Sequence, residues 1–134
     1  MLEAIKRTGF AYENIAKYYE EQPVQDFEPM SDTLHEYKGL LAAWPEILEI
    51  HRGALSRKKE HQKLQEEGKI EGKVSESVTQ RADQISYAVL AEMNHFQSER
   101  IYDFKQMMAA FLQQQILFYE KIVSELKDSL QKYE

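Results

Sequence analysis

The chain has 134 residues, enough for one domain with a hydrophobic core. Its net charge of -6 at pH 7 argues against a nucleic-acid-binding protein, because such domains usually carry a broad basic face. The chain contains no cysteine, which excludes a disulfide framework and favours a cytoplasmic location. No apolar run approaches the roughly 20 residues that span a bilayer, so any membrane contact is expected to be peripheral.

The apolar pattern predicts three helices, the first over residues 2–21. Ile5, Tyr12, Ile15 and Tyr19 fall on one helical face before the stretch EEQPVQDFEP, whose two prolines are expected to break the helix.

The second helix is predicted over residues 25–67. Its apolar residues recur at alternating steps of three and four, which is a seven-residue repeat: Phe27, Met30, Leu34, Tyr37, Leu41, Trp44 and Leu48. A repeat of this period winds helices into a left-handed coiled bundle. Pro45 removes one backbone donor in mid-helix and is expected to kink it.

The third helix is predicted over residues 74–133, a segment without Gly or Pro. The same spacing continues through Ile85, Val89, Met93, Phe96, Phe104, Met108, Phe111, Phe118, Ile122, Leu126, Leu130 and Tyr133. Arg100 and Gln115 interrupt this seam. Polar residues in a seam either pair across an interface and fix its register, or lie in solvent at its edge.

These lengths predict an elongated, all-α, antiparallel helical bundle or coiled coil with long, kinked helices. A helix of sixty residues extends roughly 90 Å, so the short first helix leaves much of the apolar seam uncovered. An exposed seam of this size marks an interface, and a two-fold homodimer is the expected assembly. The predicted dimer interface contains Phe27, Leu34, Leu41, Trp44, Phe96, Phe104 and Phe111.

Positive charge is concentrated in residues 51–73, which hold seven of the seventeen Lys and Arg residues and carry a net charge of +3. The segment includes the end of the second helix, the glycine-containing connection and the start of the third helix, so it forms the tip of a helical hairpin. Contact with an anionic membrane is predicted for Arg52, Arg57, Lys58, Lys59, Lys63, Lys69 and Lys73. The alternative is an ordinary solvated helix end.

Four stretches of the chain carry a family resemblance: AYENIAKYYEEQP, HEYKGLLAAWPEILEIHRGAL, SYAVLAEMNHFQSERIYDFKQMM and FLQQQILFYEKI. Together they resemble the C-terminal part of the BAR domain of sorting nexins, in the subfamily that also carries Src-homology and phox-homology (PX) domains. The resemblance implies a crescent-shaped antiparallel homodimer. It also implies that the dimer senses or shapes phosphoinositide-containing membranes in endocytosis and endosomal sorting.

The chain is shorter than a complete BAR domain, so residues 1–134 are interpreted as a partial one, with residues 2–21 as the end of its first helix. The PX domain, to which the family assigns recognition of the phosphoinositide head group, has no counterpart in the sequence. Only non-specific attraction to anionic lipid is therefore assigned to this chain, peripherally on the plasma membrane and on endosomal or vesicle membranes.

No catalytic, cofactor or metal site is predicted. No serine lies in a nucleophile-elbow context, and GKIEGK lacks the P-loop spacing, so neither an enzyme nor a small-molecule substrate is expected. Glu92 with His95 and Asp32 with His35 have the spacing of di-iron ligands, but such a site needs two further Glu residues. His51 and His61 lie nearly opposite each other on one helix and cannot share a metal.

Two functional hypotheses remain. The first is a membrane-binding and curvature module that acts as a homodimer. The second is a structural dimerisation or scaffold coiled coil without direct lipid binding. Both predict the same helices, so lipid binding is the property that separates them.

Overall fold

A computed structural model describes residues 1–134 as three α-helices and their connections: α1, Leu2–Gln25; α2, Phe27–Glu66; and α3, Gly72–Leu130. The prediction of an all-α fold is confirmed. The chain divides into two compact units. Unit 1 contains residues 1–36 and 103–134, and unit 2 contains residues 37–102.

The helix ends differ from the sequence prediction by a few residues, most of all between α1 and α2. We expected a break around both prolines, but α1 continues through Pro23 to Gln25, and Asp26 alone separates it from α2. Pro23 removes a single intrahelical donor, which one helix tolerates, and Pro29 lies in the first turn of α2, where no donor is needed. α2 likewise continues through Pro45.

In unit 1, α1 and the start of α2 run in the same direction along α3. Thr8 hydrogen-bonds Tyr133 near the end of α3, the Tyr19 ring contacts Phe118, and the Phe27 ring contacts Phe111. Asp26 therefore interrupts a helix without reversing the chain. The interpretation of residues 2–21 as the end of the first helix of a partial BAR domain stays a prediction.

Asp26 is a buried carboxylate, with 1% of its surface exposed. Its Oδ2 accepts hydrogen bonds from Gln22 Nε2 at 3.0 Å and from Gln115 Nε2 at 2.5 Å, and its Oδ1 accepts one from the Phe27 backbone N–H. Gln115, one of the two polar interruptions in the α3 seam, thus pairs across helices. A satisfied buried group of this kind fixes the alignment of the helices it joins.

A second polar cluster joins α1 to α3 around Glu125. This carboxylate accepts hydrogen bonds from Arg7 Nη2 at 2.9 Å, Asn14 Nδ2 at 3.2 Å and the Tyr18 hydroxyl at 3.1 Å. The hydrogen bond from Arg7 is the main cause that holds the pKa of Glu125 below its ordinary value. The bond to Glu125 in turn raises the pKa of Tyr18.

The buried core of unit 1 is small. It contains Ala4, Ala11, Ile15 and Phe118, so α1 approaches α3 closely through alanines. In unit 2, α2 packs antiparallel to α3 over Ala82 and Val89, which are buried. Tyr37 and Trp44 place their rings 6.0 and 5.8 Å from Phe96.

The turn between α2 and α3 ends α2 with a Schellman motif. The Lys69 N–H donates to Leu64 O at 2.9 Å, and the Gly68 N–H donates to Gln65 O at 3.0 Å. Gly68 has a φ of 72°, a conformation that residues with a Cβ rarely adopt. Glycine at position 68 therefore allows the tight turn that leads the chain from α2 into α3.

We expect Glu125→Gln to destabilise the protein at neutral pH by about 1 kcal/mol, because Arg7 loses its charged acceptor. The lowered pKa means that the charge of Glu125 contributes stability fully above its ordinary pKa of 4.5, and that this contribution is lost as the pH falls through the lowered value. Thermal unfolding followed by circular dichroism should therefore separate wild type and variant at pH 7 and bring them together in strong acid.

Glu120→Gln is the matched control, because Glu120 is exposed on the same helix and makes no ion pair. Its unfolding should follow the wild type at every pH. Equal stability of Glu125→Gln and wild type at pH 7 would contradict a stabilising role for the cluster.

Candidate interaction surfaces

The seven basic residues predicted to contact a membrane lie together in unit 2, and we call them the basic surface. They occupy the last turns of α2, the turn, and the first turn of α3. Its members are Arg52, Arg57, Lys58, Lys59, Lys63, Lys69 and Lys73.

Three members of the basic surface pair with acidic neighbours. Lys58 Nζ lies 2.7 Å from Asp83 Oδ1 on α3, and Lys58 is partly buried. Lys69 lies 2.9 Å from Glu67, and Arg52 lies 3.8 Å from Glu49. These pairs reduce the charge that the three side chains present to solvent.

The remaining four basic residues, Arg57, Lys59, Lys63 and Lys73, are exposed and form no ion pair within 4.0 Å. They belong to residues 51–73, which carry a net charge of +3 in a chain that is acidic overall. Whether this surface binds lipid stays a prediction.

The predicted dimer residues divide into two groups. Phe27 with Phe111, and Trp44 with Phe96, pack ring against ring within the chain, with centroids 5.3 and 5.8 Å apart. The other three remain about half exposed: Leu34, Leu41 and Phe104. The pairing inside the chain leaves Phe27 itself 53% exposed, so it too presents apolar surface outward.

Sequence analysis missed a second exposed apolar row on α3. It consists of Leu112, Ile116, Tyr119 and Val123, each roughly half exposed. The steps of four, three and four residues could have revealed this row. The sequence analysis instead assigned the apolar face of α3 to the seam that contains its aromatic residues. A monomer rarely exposes apolar rows of this extent without a partner.

The histidines make ordinary polar contacts. His51 Nε2 lies 2.8 Å from Ser86 Oγ, and His61 Nδ1 lies 2.9 Å from the Arg57 carbonyl oxygen. The structure brings no group of three or more His, Asp or Glu residues together to hold a metal ion. None of the three helices has an apolar stretch long enough to cross a bilayer.

The whole chain, residues 1–134, matches the family described as the WASP-binding domain of sorting nexin protein. It is 43% identical over 132 residues to sorting nexin-18 of Mus musculus, an alignment that covers 98% of the chain and 22% of that protein. It is 40% identical over 131 residues to sorting nexin-33 of Homo sapiens, covering 98% of the chain and 23% of that protein.

Sorting nexin lst-4 of Caenorhabditis elegans is 28% identical over 134 residues, which cover 100% of the chain and 23% of that protein. The chain thus spans less than a quarter of the length of these relatives. The matches confirm the resemblance inferred from the sequence motifs. This chain belongs to the sorting nexin family and corresponds to its BAR-type domain, the one described as WASP-binding.

Proposed function

We propose that this domain attaches a sorting nexin to anionic membranes through the basic surface, in endocytosis and endosomal trafficking. The observation that carries the proposal is the group of unpaired cations at the end of unit 2, in a chain with a net charge of -6. Such a group attracts anionic lipid, because residues 51–73 keep a net charge of +3 even with their four acidic residues counted.

The strength of this contact depends on how many charges reach the lipid. A Lys or Arg near an anionic surface contributes about 1 kcal/mol, screened within a Debye length. Arg57, Lys59, Lys63 and Lys73 are the main candidates, whereas Lys58 already pairs with Asp83. Two such surfaces in a dimer would bind with useful avidity even though one binds weakly.

We also propose that the domain acts as a homodimer and forms part of a BAR domain. Support comes from Leu34, Leu41 and Phe104, which belong to the apolar seams and yet remain about half exposed. The ring pairs Phe27–Phe111 and Trp44–Phe96 would add aromatic surface to the proposed interface. A scaffold coiled coil without lipid binding remains the alternative, and it shares this interface.

The family description supports a second function, the binding of WASP. The exposed row of Leu112, Ile116, Tyr119 and Val123 offers apolar surface in unit 1, whereas the basic surface belongs to unit 2. Membrane attachment and binding of WASP could therefore use different parts of one chain.

For membrane binding, we expect Lys59→Glu with Lys63→Glu and Lys73→Glu to abolish most co-sedimentation with vesicles that contain anionic lipid. The three side chains are exposed and make no ion pair, so helicity should not change. High salt should weaken the wild type in the same way, and neutral vesicles should not bind.

The control for this experiment is Lys6→Glu with Lys17→Glu and Lys132→Glu, which changes the net charge equally but in unit 1, on exposed residues without ion pairs. This variant should lose much less binding. If both triple variants sediment alike, total charge decides the binding, and the assignment to the basic surface is wrong.

For assembly, light scattering should give the mass of a dimer at micromolar concentration. Leu34→Asp should shift the equilibrium toward monomer, because it places a charge in the proposed interface. Tyr87→Asp, at a side chain that is 78% exposed and outside that set, should leave the mass unchanged. A well-folded wild-type monomer would refute the homodimer.

For the second function, titration calorimetry of purified WASP into the chain should show saturable binding. The variant Lys59→Glu with Lys63→Glu and Lys73→Glu should bind WASP as the wild type does if the two functions use different parts of the chain. Absence of binding by the folded wild type would remove this function and leave the membrane proposal standing.

A further inference from the structure

A groove lies between α2 and α3 in unit 2, beside the basic surface. Its volume is about 460 Å³, within the range of roughly 300–1,000 Å³ that is usual for binding sites. It is lined by Ile50, Gly53, Ala54, Arg57, Val78, Arg81, Ala82 and Ile85. The sequence analysis assigned Arg57 to membrane contact and Ile85 to the apolar seam of the third helix, and gave no role to the other six.

The lining has the geometry of two helical faces. Each helix contributes residues at i, i+3, i+4 and i+7, starting at Ile50 on α2 and at Val78 on α3. A lining that extends over seven residues of helix is about 10 Å long, or two turns. A third helix can therefore lie along the groove and contact both walls.

Small residues form the floor of the groove. A Cβ placed on Gly53 would meet no atom within 4 Å, so packing inside the chain does not require glycine there. A glycine inside a helix costs about 1 kcal/mol relative to alanine. Gly53, together with Ala54 and Ala82, leaves room for another backbone to approach closely, and Ile50 is 58% exposed beside it.

Two guanidinium groups border this apolar floor. Arg57 and Arg81 are exposed and make no ion pair, and Asp83, the acidic residue nearest to Arg81 in the sequence, already binds Lys58. Arginine binds carboxylates through two parallel hydrogen bonds, which a flexible lysine does not reproduce. The groove thus combines apolar contact with two free sites for carboxylates.

We propose that this groove binds an amphipathic helix of a protein partner, whose apolar side faces Ile50, Gly53 and Ile85 and whose flanking Asp or Glu residues pair with Arg57 and Arg81. The acidic flank is argued from charge complementarity, and the helical form from the paired rows of the lining. The proposal goes beyond membrane attachment and gives Arg57, also a candidate for lipid contact, a second role at the groove.

The test uses the full chain and a fluorescent synthetic helical peptide of about three turns, with Leu at i, i+4 and i+7 and Glu on both flanks. Fluorescence anisotropy should show saturable binding to the wild type. The same peptide with Lys in place of Glu should bind at least about tenfold more weakly, as expected for the loss of charge-assisted hydrogen bonds.

Exchange of the charges makes the test specific. The variant Arg57→Glu with Arg81→Glu should bind the Glu peptide more weakly than the wild type does and the Lys peptide more tightly. Gly53→Leu should fill the groove and weaken both peptides, with helicity unchanged because the space beside Gly53 is empty. Lys59→Glu, outside the lining, should bind the Glu peptide within about twofold of the wild type, which is close to the limit of what one distant surface charge changes.

Three results would overturn the proposal. The first is equal affinity of the wild type for the Glu and Lys peptides, or affinity that neither groove variant changes. The second is that Arg57→Glu with Arg81→Glu abolishes binding to anionic vesicles but leaves peptide binding unchanged, which would assign the groove to lipid. The third is a change of molecular mass with Gly53→Leu, which would assign it to a second copy of the chain.

Discussion

The structure depends on the fact that two antiparallel helices bury only the strip along which they touch. In unit 1, α3 packs against α1 and the start of α2. In unit 2, α3 packs against the rest of α2. The fully buried apolar residues are correspondingly few and mostly small. Large side chains such as Leu34, Phe104 and Ile116 remain half exposed because no second layer covers them. Burial of an apolar side chain stabilises a fold by about 1.5–3 kcal/mol, so contact of these rows with a partner is strongly favoured.

Polar clusters compensate for the thin core by fixing how the helices align. Asp26, between α1 and α2, accepts hydrogen bonds from three N–H donors. Glu125 on α3 accepts hydrogen bonds from three side chains of α1. A seven-residue apolar repeat tolerates a shift by one heptad, since each register places apolar residues against apolar residues. The hydrogen bonds that cross to α3 do not tolerate it. A shift would take Gln115 away from the buried Asp26 carboxylate, and Arg7, Asn14 and Tyr18 away from Glu125. The clusters therefore select one alignment among several that the apolar pattern allows.

Unit 2 illustrates how neighbouring charges of one sign can serve different purposes. Lys58 is tied to Asp83 and holds α2 against α3, whereas Lys59, one residue on, is exposed and unpaired. Arg57 borders the apolar groove with Arg81 from the other helix. One turn of helix thus presents a structural ion pair, a cation for a charged surface and a guanidinium beside an apolar site. The direction of each side chain, set by 3.6 residues per turn, separates these roles.

The sequence by itself determined the helical content, the apolar faces, the position of the basic surface and the family resemblance. These are local or periodic properties: the steps of three and four from Phe27 to Leu48 define a face whatever lies against it. Only the tertiary structure decided which partner each face meets. Tyr19 meets Phe118, Phe27 meets Phe111, and Gln115 meets Asp26 across 89 residues. It also decided that α1 and α2 follow one direction along α3, because a proline removes one hydrogen bond without dictating whether the chain reverses. The pairing of distant helices depends on register and on long-range hydrogen bonds, and a periodic pattern encodes neither uniquely.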